Sequence, residues 1–75
     1  MKTLNLFFKN EEDFNQAVDF YATMNSEFTA EAINNEFQAI EFNVEDQEDA
    51  DATEMGLVRE LEILDLSDYH FEFNN

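Results

Sequence analysis

The apolar residues of this chain change period along its length, and the order of the changes leaves few folds open. Leu4, Leu6 and Phe8 alternate with Asn5, Phe7 and Lys9, the period of a half-buried strand. Phe14, Ala17, Val18, Tyr21 and Ala22 then recur at helical spacing as one apolar stripe. Asn10 stands before Glu11, Glu12 and Asp13, an N-cap followed by acids that the helix dipole favours. A helix is therefore expected from about Glu11 to Met24. Period two returns in Phe28, Ala30 and Ala32 and again in Ile40, Phe42 and Val44, on either side of the turn signal Asn34-Asn35. One residue of slip flips every side chain, so the hairpin register matters. A three-residue loop, Asn34 to Glu36 with an asparagine in the left-handed region, sets Phe28 opposite Phe42 and Ala30 opposite Ile40. A two-residue loop sets Phe28 against Glu41, so the longer loop is expected.

Leu57, Val58, Leu61 and Leu64 form a second helical stripe, giving a helix over Met55 to Leu64. Asp51-Ala52-Thr53-Glu54 precedes it in the pattern of a capping box. Gly56 weakens that helix by about 1 kcal/mol relative to alanine. Tyr69, Phe71 and Phe73 then alternate with His70, Glu72 and Asn74 as a last strand. The order β-α-β-β-α-β predicts an α+β, ferredoxin-like domain over residues 1–75, a four-stranded antiparallel sheet with two helices on one face. Such a fold puts Glu11 to Asp13, the Asn34–Glu36 loop and Asp65 to Asp68 at one end, and Glu27 with Glu45 to Asp51 at the other. Its open sheet face is expected to carry Glu31, Glu41 and Glu72 beside Phe7, Ile33, Phe37 and Ala39. A chain of 75 residues without cysteine is near the lower limit for a self-sufficient core, and nine phenylalanines and two tyrosines supply the area it needs.

Charge narrows the function. Nineteen acids stand against Lys2, Lys9 and Arg59, a net charge of −16. Self-repulsion on that scale destabilises a compact state, so it calls for a use. Nucleic acid and anionic membrane would both be repelled, which excludes direct binding to either and points to a basic protein partner. The acids concentrate in Glu45, Asp46, Glu48, Asp49, Asp51 and Glu54, between a strand and a helix, so they sit on a folded frame. Asp49, Asp51, Thr53 and Glu60 match positions 1, 3, 5 and 12 of a calcium loop, but Glu54 stands where that loop requires glycine. No metal and no cofactor is expected. His70, the single histidine, has no serine or cysteine pattern around it, and no glycine-rich phosphate loop is present, so no enzyme is expected. Met1 to Lys9 is too short for a signal peptide and no run reaches transmembrane length, so a cytoplasmic protein is expected.

In size, charge, absence of cysteine and the Glu45–Glu54 run, the chain resembles the small acidic DNA-mimic inhibitors of phages and mobile elements, of the anti-restriction and anti-CRISPR type. The resemblance implies a stoichiometric inhibitor whose carboxylates replace phosphates against the Lys and Arg of a host defence complex, with exposed Phe7 or Phe37 adding apolar anchoring. Two other classes compete with it. One is an acidic adaptor that binds a protein, or pairs two copies, through the open sheet face. The other is an ordinary small domain of a halophile.

Overall fold

The computed structural model describes residues 2–23 and 26–75. The elements run β1 (Lys2–Phe8), α1 (Glu11–Ala22), β2 (Ala32–Asn34), β3 (Ala39–Val44), α2 (Gln47–Ile63) and β4 (Tyr69–Asn74). The four strands form one antiparallel sheet in the order β2-β3-β1-β4, the ferredoxin-like arrangement. Leu4 lies between Phe42 and Phe73, and Leu6 between Ile40 and Phe71. This face of the sheet meets Phe14, Ala17 and Tyr21 of α1 and Ala50, Leu57 and Leu61 of α2 in a single core.

Both helices begin and end where side-chain chemistry dictates. Asn10 Oδ1 accepts the Asp13 N–H at 2.8 Å, the expected cap of α1. Thr23 closes that helix through its N–H to the Asp19 carbonyl. Met24, the expected last residue, lies outside the described residues. After α2, Asp65 takes φ 60°. Its N–H reaches the Glu62 carbonyl at 3.0 Å, and the Leu66 N–H reaches the Leu61 carbonyl at 2.9 Å. This is a Schellman stop, with Leu66 buried as its apolar plug.

The β2–β3 hairpin departs from the expected register. Ala32 pairs with Glu41, Ile33 with Ile40 and Asn34 with Ala39, so the loop has four residues, 35–38. Asn34 Oδ1 accepts the N–H groups of Glu36 and Phe37 at 3.0 and 3.1 Å. Gln38, not an asparagine, takes the left-handed conformation at φ 54°. It is held there by β1: the Phe8 N–H donates to the Gln38 carbonyl, and Gln38 Nε2 donates to the Phe8 carbonyl, both at 3.0 Å. Those two bonds offset the steric cost of the left-handed region, about 1–2 kcal/mol for a residue with a Cβ.

The same shift removes Phe28 and Ala30 from the sheet. Their alternation suggested a strand, but both precede β2 and pack on the core from the side. Phe28 rests on Gly56, where a Cβ would stand only 2.4 Å from its Cζ. The glycine thus trades helix propensity for a slot that seats an aromatic ring.

Candidate acidic interface

The acidic run is largely helical. The expected start at Met55, with a capping box at Asp51–Glu54, is corrected: α2 begins at Gln47 and its N-cap is Asp46. Asp46 Oδ1 accepts the Asp49 N–H at 2.8 Å, and Asp49 Oδ2 accepts the Glu45 N–H at 2.9 Å. Each carboxylate thereby satisfies a backbone donor that the helix start leaves open. Gln47 Nε2 adds a bond to Asp51 Oδ1 at 2.9 Å, one turn along. Ala50 is the anchor, 1% exposed and part of the core, two helical turns before Leu57 on the stripe that continues to Leu61. An apolar stripe read with alanine included would have reached back to it. Leucine spacing alone stops a helix too late.

Asp46 and Asp49 are therefore partly committed to folding α2. Glu45, Glu48 and Asp51 are exposed and Glu54 is half-buried. Glu48, Asp51 and Glu54 follow one another at three-residue steps, roughly 4.5 Å of helix axis each at 1.5 Å per residue. Along one strand of duplex DNA phosphates recur every ~3.4 Å of axis. Among the described residues the ion pair is Lys9–Asp68 at 3.8 Å, and His70 Nε2 lies 3.2 Å from Glu72 Oε2; neither contact involves residues 45–54. The charge of this end is left for solvent or a partner.

The open sheet face differs from expectation. Glu41 and Glu72 flank Asn5 across the sheet, as expected, and Phe7 lies between Ala39 and His70. Glu31, however, precedes β2, and Phe37 lies in the β2–β3 loop, 62% exposed, so neither belongs to the strand surface. Ile33 faces the other way, because it pairs with core residue Ile40. These three corrections share one cause, the shifted hairpin register. Nor is Phe7 a free anchor: its ring stacks on the His70 imidazole with centroids 5.0 Å apart and planes at 11°. His70 Nε2 in turn meets Glu72 Oε2.

One polar cluster escaped the sequence reading. Ser26 Oγ donates to the Glu60 carboxylate at 2.6 and 2.8 Å to its two oxygens and accepts the Phe28 N–H at 2.9 Å. Tyr21 lies alongside, and among the described residues its buried hydroxyl makes no bond of hydrogen-bonding geometry. Burial first, and then the nearby Glu60 carboxylate, hold this phenol far above its ordinary range. Asp49, Asp51, Thr53 and Glu60, the calcium-like spacing, all lie on one helix, where no loop closes around an ion. Among the described residues no helix is long and apolar enough to cross a membrane.

Comparison with known proteins returns no match: no family model fits the chain, and no curated protein and no solved structure matches it.

Proposed function

We propose that this chain is a stoichiometric protein inhibitor that presents phosphate-like charge to the nucleic-acid-binding surface of a basic host defence complex, of the CRISPR or restriction class. The observation that supports this reading is the first half of α2. It carries Glu48, Asp51 and Glu54 at regular helical steps, the first two exposed and the third half-buried, on a helix fixed to the core by Ala50, and among the described residues no cation is paired with them. The order of these carboxylates matters. A flexible acidic tail pays conformational entropy when it binds, whereas carboxylates on a fixed helix have lost most of theirs on folding. The Lys and Arg of a phosphate-binding groove would meet Glu45, Glu48, Asp51 and Glu54 as charge-assisted hydrogen-bond acceptors.

Affinity capture from a nuclease-treated host lysate tests the proposal, with release by added duplex DNA as the second step. Enrichment of a nucleic-acid-binding nuclease or surveillance complex, released by DNA, is the expected result. Capture of a neutral enzyme that DNA does not release counts against it. Residue choice makes the test sharper. Glu45→Gln, Glu48→Gln, Asp51→Asn and Glu54→Gln together remove charge and spare both capping carboxylates. They should weaken target binding and flatten its salt dependence more than neutralising Glu11, Glu12, Asp13 and Asp19 on α1. Equal losses would mean that diffuse net charge acts, and no loss from either set would sink the mimicry reading.

A further inference from the structure

The sheet has two edges, and they are not alike. β2 offers three residues. β4 offers six, Tyr69–Asn74, in unbroken alternation of half-buried and exposed side chains. Every second residue of an edge strand turns its N–H and C=O outward, and such an edge is usually blunted by lysine, proline or a bulge. β4 has no lysine or proline, and its pairing with β1 is continuous from Tyr69 to Asn74. Beside it, the flank of α2 forms a groove of about 380 Å³ lined by Glu54, Met55, Val58, Arg59 and Glu62. α2 is in contact with β4, so this helix lies beside the strand. Met55 is 61% exposed there, and Phe71 and Phe73 are only half covered.

We infer that β4 is the pairing edge for a second copy of this chain, joined antiparallel about a two-fold axis at Phe71. The pattern of the strand selects both occupant and register. A two-fold pair that keeps like faces together must centre on a residue, which leaves few choices. Centring on Glu72 sets two glutamates opposite each other. Centring on His70 sets the two histidines opposite each other and Asp68 against Glu72. Centring on Phe71 sets His70 against the second copy's Glu72 at two symmetric places, and Tyr69 against its Phe73. A pair centred on Tyr69 would also oppose His70 to Asp68, but it would set Phe71 against Ser67, outside the strand. Of the registers held within β4, only the Phe71 one pairs donor with acceptor on the open face and ring with ring on the helix face.

Local charge points to a copy over a basic partner. Arg59, one of three basic residues, and His70, the single histidine, both lie on this side. Here a base, Arg59, stands among the acids Glu54, Glu62 and Glu72, whereas no base lies among residues 45–54. A cationic segment would gain more at the acidic end of α2, whereas a copy gains most here. The two chains still repel as bodies of charge −16, so pairing strengthens as salt screens them.

The test uses the chain alone, so its outcome does not depend on the inhibitor reading. Molar mass by light scattering and sedimentation, over a concentration series at low and high salt, should show a dimer whose share rises with salt. His70→Glu, which places like charges opposite each other twice, should return the protein to monomer with its far-ultraviolet dichroism unchanged. The exchange His70→Glu with Glu72→His keeps the net charge and reverses each pair, so it should restore the dimer. A wild-type monomer at every concentration and salt overturns the inference. A dimer indifferent to His70→Glu overturns it as well, because two copies then meet elsewhere. Loss in the single variant without recovery in the exchange refutes the Phe71-centred register.

Discussion

Replacing Gly56 by alanine sets two effects of opposite sign against each other. Within a helix the substitution is worth about 1 kcal/mol in its favour. The new Cβ, however, would stand 2.4 Å from Cζ and 2.8 Å from Cε2 of Phe28. That is roughly an ångström inside the ~3.5–4.0 Å at which carbon atoms rest. The ring must swing off the helix. Phe28 is half-buried and packs on the core, so it can move only toward solvent and loses contacts by doing so. Overpacking of this kind costs about 1–3 kcal/mol. The clash wins, and the net effect is a loss of about 1 kcal/mol, or about 4–8 °C in Tm for a domain this size. The second arm removes the ring. In a Phe28→Ala background the same Gly56→Ala change should stabilise by about 1 kcal/mol, because only the helix term remains. Urea denaturation of the four proteins, compared at constant m-value, reads both signs. Equal stabilisation in the two backgrounds would refute the reasoning, since Phe28 would then not rest on Gly56.

Added salt should raise Tm throughout the range in which it screens the nineteen carboxylates, and a falling Tm would mean repulsion does not dominate the surface. Phe42→Ala, at 2% exposure, should cost about 3–5 kcal/mol, and Phe71→Ala, half-buried on β4, roughly half as much; similar denaturation midpoints would contradict the assigned burial. Tyr21 is an acid whose folded pKa is raised. Its contribution is therefore fully present below about pH 10, the unfolded value, and is lost as pH climbs beyond it toward the folded one. Alkaline unfolding should accordingly shift upward in Tyr21→Phe, monitored by dichroism. At neutral pH that variant should match or exceed wild-type stability, because among the described residues the buried hydroxyl it deletes makes no bond of hydrogen-bonding geometry.

Much of this protein is legible one segment at a time. The caps and stripes of α1, the alternation of β1, β3 and β4, the turn signal between β2 and β3 and the helical face of Leu57 and Leu61 are local patterns, and they suffice for the β-α-β-β-α-β order and for most of the core. The −16 charge is equally plain, as is its concentration over residues 45–54. What the chain could not disclose locally depended on a distant partner. The hairpin register turned on Gln38, whose left-handed backbone is held by Phe8, thirty positions away in sequence. With that register went the places of Ile33, Phe37 and Glu31. Phe28 alternated like a strand residue until a slot at Gly56 on α2 gave its ring somewhere better to go. The early start of α2 was missed because leucine spacing alone marks its second half, whereas Ala50, capped in by Asp46, is buried against the core only in the folded chain. Periodicity records which face a segment must bury. Which neighbour covers that face, and which residue absorbs the strain of the turn, are decided by contacts across the fold.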